Sequence, residues 1–191
     1  MKRVLSIQDI SCIGKCSLTV ALPIISGMGI ETSILPTSIL STHTMFNDFT
    51  FRDLTDDMEP IKKHWQKEGF SFDAIYTGYL GSEKQITLVK DYFKTFGNTC
   101  KYIIVDPAMA DNGKLYSGFD KDFPLKMAKL CKYADVILPN ISEAAFMTGM
   151  PYPGENASNE CIKDLLLSLA KLGSKKIVIT GVESADHKFG F

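Results

Sequence analysis

Two carboxylates, Asp106 and Asp111, stand five residues apart in the segment VDPAMADNGKLY, on either side of a turn that contains Pro107. Proline fixes one backbone dihedral, so the turn between the two acids is restricted. Carboxylate oxygens are the ligands that Mg²⁺ prefers, often together with water. The pattern therefore suits a site that holds magnesium through water or brackets phosphate groups. An aspartate before a proline is also a common way to begin a turn, and this alternative stays open.

Polar side chains also follow most of the other apolar runs of the chain. Glycine beside such a run lets a ligand approach the backbone closely, and an aromatic ring can cover a flat ligand while its hydroxyl forms a hydrogen bond. We therefore treat these residues as candidates for binding a small molecule. They are Asp9 and Ser11 before Gly14, His43 and Thr44 in STHTMFND, Tyr79 in TGYLGS, and Asn140 with Glu143 in LPNISEAAFMTG.

Each candidate also has an interpretation without chemistry. Asn140 and Glu143 have the spacing of a capping box that begins a helix, which explains the pair at least as well as a functional role. Tyr79 alone is more often a packing residue, and His43 is one histidine among three. Because several such candidates fall at successive strand ends, we predict a binding site rather than a series of separate structural turns.

Apolar runs separated by amphipathic segments must position these residues. The runs are continuously apolar, which is typical of parallel strands buried on both faces and joined by crossover helices. In such sheets ligands bind beyond the carboxyl ends of the strands. We predict a single α/β domain over residues 1–191, with a doubly wound, mostly parallel sheet flanked by helices. The predicted strands are 3–7, 32–36, 73–78, 101–106, 134–139 and 175–180, and the predicted helices are 15–27, 56–68, 83–96, 124–132, 141–149 and 157–172.

The composition excludes several classes of partner. With 45% hydrophobic and 23% charged residues, the 191-residue chain is an ordinary globular protein with enough residues for one sizeable core. The 21 Lys and Arg residues face 22 Asp and Glu residues, so the basic surplus of a nucleic-acid binder is missing. No apolar stretch approaches the roughly 18 residues of a membrane span, and the first run is too short for a signal peptide. We predict a cytoplasmic protein that acts on a small molecule, without nucleic acid or membrane.

Several common catalytic motifs are absent from the sequence. There is no G-x-x-x-x-G-K-[ST] phosphate loop, no H-E-x-x-H, no C-x-x-C and no serine-centred nucleophile elbow. The five cysteines are an odd number scattered along the chain, which favours reduced thiols over a disulfide framework. The sequence therefore gives no support to a zinc site or to covalent catalysis by serine.

Taken together, the segments VLSIQDISCIGKCSL, LSTHT, YTGYLG, IVDPAMADNGKLY, ILPNISEAAFMTG and IVITG resemble the pyridoxal/pyridoxamine kinases of the ribokinase-like superfamily in order and spacing. The resemblance covers essentially the whole chain. It implies ATP-dependent phosphorylation of the 5′-hydroxymethyl group of pyridoxal, pyridoxamine or pyridoxine, with Mg²⁺, a monovalent cation such as K⁺, and a homodimer. The hydroxymethylpyrimidine kinases share the latter half of the pattern and are the closest alternative.

The resemblance also implies a role for each candidate residue. Asp9 stands where many members of the family carry a serine that bonds the pyridine ring, and a carboxylate there would favour a protonated ring nitrogen or a bonded phenol. The implied substrate-binding residues are Asp9, Ser11, His43, Thr44 and Tyr79. The residues implied for ATP and its phosphates are Asp106, Asp111, Tyr116, Asn140, Glu143, Thr180 and Gly181, of which Asp106, Asp111 and Glu143 would serve the metal.

The catalytic base of that family is the aspartate of a G-x-G-D turn, and no G-x-G-D occurs in these 191 residues. We therefore expect this chain to be the N-terminal two-thirds or so of a kinase, with very weak or no turnover by itself. We also expect exposed apolar surface and a tendency to associate, with Phe189 and Phe191 lacking partners. The alternatives are a non-catalytic remnant that binds a vitamer or a partner subunit, and a structural protein without a ligand.

Overall fold

A computed structural model describes residues 1–154, 156–183 and 189–190 of the chain. The prediction that Phe189 and Phe191 lack partners concerns side chains that lie outside the described part of the chain. The strands are β1 (Arg3–Ile13), β2 (Glu31–Thr42), β3 (Phe51–Asp53), β4 (Ala74–Thr77), β5 (Tyr102–Val105), β6 (Ala110–Asp111), β7 (Lys114–Leu115), β8 (Val136–Ile137), β9 (Lys176–Ile177), β10 (Val182–Glu183) and β11 (Phe189–Gly190). The α-helices are α1 (Leu18–Gly27), α2 (Thr55–Lys67), α3 (Glu83–Phe96), α4 (Phe123–Cys131), α5 (Ile141–Thr148) and α6 (Asn159–Ala170).

The fold is α/β, with a seven-stranded sheet in the order β3-β2-β1-β4-β5-β8-β9 and helices between most of the strands. The pairs β1/β2, β1/β4, β5/β8 and β8/β9 are parallel, and β3 pairs antiparallel with β2. Two further pairs, β6/β7 and β10/β11, are antiparallel ribbons outside this sheet. The predicted fold class is confirmed, and the antiparallel edge strand is the addition.

The chain forms two compact units, Met1–Ile103 and Ile104–Phe191, called here the first and second unit. In the first unit the core is built from fully buried aliphatic side chains of β1, β2 and β4, such as Leu5, Leu35 and Ile75. In the second unit the buried residues come from the strands and from α4, α5 and α6. Examples are Val105, Met127, Leu130, Ile137, Ala144 and Leu169.

The first two strands extend beyond their predicted ends. They were predicted to end at residues 7 and 36, but β1 runs to Ile13 and β2 to Thr42, and these two residues still pair with each other. Asp9 and Ser11 therefore lie within β1 and not in a turn, which corrects the prediction. Asp9 and Ser11 are polar residues that interrupt the apolar run of β1, and for that reason they were predicted to lie in a loop. In the structure they are buried, with only 5% and 1% of each residue exposed.

Helix α1 is unusual because it is apolar but little buried. Its sequence LTVALPIISG has no charged residue, yet Leu18 is its only buried one. Leu22 and Ile24 of this helix and the following Met28 are exposed large apolar residues. Within the described residues, no helix is long and apolar enough to span a membrane.

All five cysteines are free thiols, as the sequence analysis predicted. Cys12 and Cys161 are exposed, whereas Cys131 is fully buried with its Sγ 3.9 Å from Sδ of Met147. Burial raises the pKa of the Cys131 thiol to about 12, and nearby carboxylate charges act in the same direction. This thiol therefore stays protonated and inert at ordinary pH.

Candidate functional site

The carboxyl end of β1 lies beside a bulge in β2. The register between the two strands shifts by one residue, so that Thr37 and Ser38 of β2 both lie opposite Asp9. Bulges are uncommon in parallel pairs, and they are over-represented next to active sites because they re-aim side chains. The carbonyl oxygen of Thr37 accepts hydrogen bonds from the backbone N–H of Leu54 at 3.1 Å and from Nε2 of Gln85 at 3.0 Å. These two bonds hold the bulge in place.

Asp9 places a carboxyl group inside the protein at this bulge. Ser11 lies two residues along the same face of β1, and its Oγ donates to Oδ2 of Asp9 at 3.4 Å. Oδ1 of Asp9 is buried and has no hydrogen-bond partner among the described residues. Burial raises the pKa of this carboxyl, and the nearby hydroxyl groups of Ser17 and Ser11 oppose that effect. The free oxygen can accept a hydrogen bond from a ligand.

Ser17, directly before α1, is a residue that the sequence analysis missed. Its φ of 49° is a left-handed conformation that is unfavourable for a residue other than glycine. Its side chain forms no capping bond to α1, and its hydroxyl instead acts on the Asp9 carboxyl. A serine in front of a helix looks like an ordinary N-cap in the sequence, so no signal set it apart.

His43 follows β2 directly, and its ring lies against Gly14. A Cβ at Gly14 would lie 2.3 Å from Cδ2 of His43, and the φ of +106° at Gly14 also requires glycine. Nδ1 of His43 accepts a hydrogen bond from the N–H of Met45 at 3.4 Å, which places the proton of a neutral imidazole on Nε2. The ring centroid lies 4.9 Å from that of Phe46. The predicted neighbour Thr44 is exposed.

Tyr79 lies in the loop that follows β4 and is partly buried. Burial raises the pKa of its phenol, and the negative charges of Asp9 and Asp53 raise it further. The hydroxyl therefore stays protonated and lies within electrostatic reach of Asp9. The carbonyl oxygen of Tyr79 accepts a hydrogen bond from Oγ1 of the bulge residue Thr37 at 3.3 Å. The loop and the bulge are thus joined directly.

Gln85 is a second residue that the sequence analysis missed. Its side chain is buried, with 1% of the residue exposed, and its Oε1 accepts a hydrogen bond from the N–H of Gly81 at 2.8 Å. Its Nε2 donates to the carbonyl oxygen of Thr37 and also to Oγ1 of Thr55, the latter at 2.9 Å. One side chain therefore holds the Tyr79 loop, the bulge and the start of α2. The available signal was the S-x-x-Q spacing from Ser82, which predicts a capping box at the start of α3.

In the second unit, Asp111 begins a tight hairpin between β6 and β7. Asn112 and Gly113 form its two-residue turn with φ values of 49° and 70°, the combination that an Asn-Gly pair favours. Asp111 is exposed, and its Oδ1 accepts from the N–H of Asn112 at 2.9 Å. The N–H of Gly113 donates to Oγ of Ser142 at 2.8 Å, which fastens the hairpin to the first turn of α5. The Asn-Gly pair is the sequence signal that predicts this turn.

Glu143 and Asn140 form a complete capping box at the start of α5. The N–H of Glu143 donates to Oδ1 of Asn140 at 2.9 Å, and the N–H of Asn140 donates to Oε2 of Glu143 at 2.8 Å. Oε1 of Glu143 also accepts from the N–H of Met109 at 3.1 Å, and Nδ2 of Asn140 donates to the carbonyl of Ala110 at 2.8 Å. The capping interpretation is confirmed, and the box also fixes the segment that follows Asp106.

Negative charge accumulates around this box. Glu143 is 3% exposed, and its burial raises the pKa of its carboxyl group to about 8, with a further contribution from the charge of Asp106. The hydrogen bonds that the carboxyl group accepts from backbone N–H groups act in the opposite direction and lower the pKa. Burial raises the pKa of Tyr116 to about 12, with Glu143, Asp111 and Asp106 acting in the same direction. The three predicted acids and Tyr116 are therefore close enough to influence one another. A bound cation would relieve this repulsion.

The fit of these acids to a metal ion is limited in this structure. Among the side chains that the structure describes, no group of three or more His, Cys, Asp or Glu residues could hold a metal ion. Both carboxylate oxygens of Glu143 already accept backbone hydrogen bonds, and Asp111 is exposed. Direct coordination of Mg²⁺ by all three acids does not fit this arrangement. A role for Asp106, Asp111 and Glu143 in holding the ion through water stays a prediction.

Thr180 lies beside the capping box. It forms a parallel bridge with Asn140, and its N–H donates to the carbonyl of Pro139 at 2.9 Å. Gly181 follows with a φ of 71° and is exposed. The structure therefore brings Thr180 to the start of α5, where the other predicted phosphate-binding residues lie.

The predicted site residues form two groups, one in each unit. The first unit holds the residues predicted for the vitamer, and the second holds those predicted for ATP and its phosphates. The first group is Asp9, Ser11, His43, Thr44 and Tyr79, and the second is Asp106, Asp111, Tyr116, Asn140, Glu143, Thr180 and Gly181. The functional role of each residue stays a prediction.

Comparison with known proteins identifies a matching family. Residues 33–189 match the family model described as phosphomethylpyrimidine kinase. The chain is 42% identical to a protein from Bacteroides thetaiotaomicron that is described as a phosphomethylpyrimidine kinase and was crystallised with pyridoxal. The two structures have a TM-score of 0.90 over 97% of this chain and 64% of that one.

Pyridoxal kinases also share the fold. The crystal structure of pyridoxal kinase from Lactobacillus plantarum is 35% identical, with a TM-score of 0.87 over 97% of this chain and 66% of that one. A pyridoxal kinase from Leishmania donovani, solved with ADP and pyridoxamine, has a TM-score of 0.82 over 94% of this chain and 62% of that one, but its 20% identity shows the fold alone. Two curated relatives are each 27% identical to the chain, and the matched segment covers 54% of the length of one and 63% of the length of the other.

Proposed function

The chain belongs to the phosphomethylpyrimidine kinase family, and on that premise we propose that it serves ATP-dependent phosphorylation of the 5′-hydroxymethyl group of a B6 vitamer such as pyridoxal. The observation that carries the proposal is the buried Asp9 carboxyl, which keeps one oxygen unpaired at the end of β1. Pyridoxal is also the compound with which the 42% identical relative was crystallised.

In the proposed reaction the first unit binds the vitamer ring. Oδ1 of Asp9 accepts a hydrogen bond from the ring, and Ser11 holds the other carboxylate oxygen. His43, kept in place by the contact with Gly14, supplies a ring surface with its proton on Nε2. Tyr79 supplies a second aromatic surface, and its hydroxyl stays protonated. A flat heteroaromatic alcohol suits this set of groups.

The second unit, in this proposal, serves the phosphate groups of ATP. The vitamer hydroxyl oxygen attacks the γ-phosphorus, the bond to ADP breaks, and a base takes the hydroxyl proton. Mg²⁺, when bound, would neutralise charge on the phosphates. Asp106 and Asp111 are the acids proposed to hold it through water. Glu143 and Asn140 fix the backbone between these two acids through their bonds to Met109 and Ala110. Positioning supplies most of the catalysis in such a transfer.

Two alternatives follow from specific observations. The matching family model is that of phosphomethylpyrimidine kinase, and one relative is described as a hydroxymethylpyrimidine/phosphomethylpyrimidine kinase, which together favour a pyrimidine such as hydroxymethylpyrimidine as the substrate. The absence of G-x-G-D from the 191 residues favours a chain that binds a vitamer without converting it. The homodimer and the monovalent cation that the resemblance implies are also proposals.

Calorimetric titration of the purified chain with pyridoxal and with hydroxymethylpyrimidine tests the substrate class. We expect pyridoxal to bind more tightly, and Asp9→Ala and Tyr79→Ala each to weaken it by at least about tenfold, because a buried charged hydrogen bond and an aromatic contact are lost. Asp57→Ala, at an exposed acid of α2, is the matched control. Tighter binding of the pyrimidine would replace the proposal by its first alternative.

A further inference from the structure

Four buried oxygen atoms in the first unit have no hydrogen-bond partner among the described residues. They are Oδ1 of Asp9, Oγ of Ser38, Oγ1 of Thr42 and Oγ1 of Thr77. As whole residues, Asp9, Ser38 and Thr77 are only 5%, 1% and 0% exposed. A buried polar atom without a partner costs free energy, so native proteins contain few of them, and each one requires an explanation.

Strand pairing places Thr77 on the same face of the sheet as Asp9. Side chains two residues apart in a strand share a face, and residues paired across a parallel ladder point the same way. Thr77 pairs with Ile7, and Ile7 stands two residues before Asp9 in β1. Thr77 and Asp9 therefore line one face at the carboxyl ends of β1 and β4.

Ser38 reaches that face from the other side of β1. Leu40 pairs with Ser11, which shares a face with Asp9, and Ser38 stands two residues before Leu40. Thr42 continues the same row at the end of β2. Because the bulge puts Ser38 directly opposite Asp9, the hydroxyl and the carboxyl lie on adjacent strands at the same level. The unpaired atoms therefore form one group and are not scattered through the core.

We propose that Asp9, Ser38 and Thr77 form a polar site, called here the ring-edge slot, which binds the hydrogen-bonding edge of a heteroaromatic ring. Within this slot, Ser38 is a specificity-determining residue of the proposed reaction. The inference rests on the proposed function and adds two residues to the predicted site. Oδ1 of Asp9 accepts from an N–H or O–H group of the ring. The hydroxyls of Ser38 and Thr77 can each donate or accept, so they pair with neighbouring groups on the same edge.

The free chain carries the cost of these unpaired groups, and the ligand removes it. Deleting an unpaired hydroxyl should therefore leave the free chain at least as stable as before. The same deletion should weaken ligand binding, because one hydrogen bond to the ring is lost. A hydroxyl with a purely structural role would show the opposite pattern, a loss of stability without a change in ligand affinity.

The test compares pyridoxal affinity and thermal stability of the native chain with those of Ser38→Ala and Thr77→Val. Ser33→Ala is the matched control, because Ser33 lies in the same strand near its other end. We expect each slot variant to weaken pyridoxal binding about 3- to 10-fold, the usual range for one neutral hydrogen bond. The melting temperature of each ligand-free slot variant should equal or exceed that of the native chain, and the control should change neither quantity.

Native affinity in both slot variants would overturn the inference while leaving the proposed function intact. A lower melting temperature of the ligand-free slot variants with unchanged affinity would also overturn it, because the hydroxyls would then serve the structure, for example through an ordered water. If the unsubstituted chain fails to bind pyridoxal at all, the proposed function itself is wrong, and the inference falls with it.

Discussion

Asp9 and Glu143 are buried acids whose pKa values are raised mainly by burial. A carboxyl group with a raised pKa in the folded chain keeps its proton at pH values where the unfolded chain has released it. The resulting stability is fully present below the unfolded pKa and is lost as the pH rises through the folded pKa. Both acids therefore make the chain less stable as the pH increases.

For Glu143 the pH range of this loss of stability can be given, because its pKa rises from 4.5 to about 8 on folding. We expect the free energy of unfolding to fall between pH 5 and pH 8, and Glu143→Gln to reduce that fall because glutamine has no proton to release. At pH 5 the variant should be less stable by about 1–3 kcal/mol, since the amide cannot accept both backbone hydrogen bonds. Urea unfolding at several pH values measures both effects.

Glu160→Gln is the matched control for this experiment, because Glu160 is an exposed acid in the first turn of α6. It should leave the pH dependence as it is in the native chain. An equal slope in Glu143→Gln and the native chain would contradict the assignment of the pH dependence to Glu143.

Gly14→Ala should separate backbone strain from a local clash. Gly14 and Gly29 have φ values of +106° and +79°, but only a Cβ at Gly14 would meet another residue, at 2.3 Å from His43. We expect both substitutions to destabilise the chain by about 1 kcal/mol or more through strain. Only Gly14→Ala should weaken pyridoxal binding, because it displaces the His43 ring. Equal affinities in Gly14→Ala and Gly29→Ala, measured by calorimetry, would remove His43 from the proposed site.

At the scale of the elements, Gln85 connects α3 to three other segments through one buried side chain. We expect Gln85→Ala to lower the free energy of unfolding by about 2–4 kcal/mol, because several buried polar groups lose their partner. It should also weaken pyridoxal binding, since Gly81 and the Tyr79 loop are no longer held. The exposed Gln66→Ala in α2 is the control for chemical denaturation and for binding. A native affinity in Gln85→Ala would show that the loop keeps its position without this side chain.

The six predicted helices are all present, since their amphipathic patterns and caps are local signals. Each of the six predicted strands has a counterpart in the structure, but β1 and β2 were ended too early, and β3 and the short ribbons β6/β7 and β10/β11 were not predicted. Local polarity could not reveal that Asp9 and Ser11 are buried, because their burial depends on neighbouring strands. The bulge opposite Asp9 could not be predicted for the same reason, since it is a property of a pair of strands and not of either sequence alone.

The candidate site was predicted only as far as residue types allow. The residues expected for the vitamer lie in the first unit, and Asp9 was selected as a polar residue next to an apolar run, although it lies within β1. Ser17, Ser38 and Gln85 were missed because their importance comes from an unusual backbone angle, an unpaired hydroxyl and a buried network. These properties depend on tertiary structure.

At the scale of the whole molecule, we expect the 191-residue chain to bind pyridoxal but to phosphorylate it very weakly or not at all. The reason is that none of its residues belongs to a G-x-G-D turn, which supplies the base in the family that the sequence resembles. Release of ADP and formation of pyridoxal 5′-phosphate measure the turnover. Pyridoxal-dependent ADP release that Asp9→Ala abolishes would contradict this prediction and would show that another group takes the proton.

The distribution of thiols gives the chain two natural attachment points for spectroscopic labels. Cys12 and Cys161 are exposed, whereas Cys131 is buried and stays protonated, so a maleimide dye should leave Cys131 unmodified. Cys12 follows Ser11 in β1, and Cys161 lies in the first turn of α6. With Cys16 and Cys100 replaced by serine, a dye on Cys12 would report the first unit from the strand that carries Asp9. A dye on Cys161 would report the second unit in the same sample.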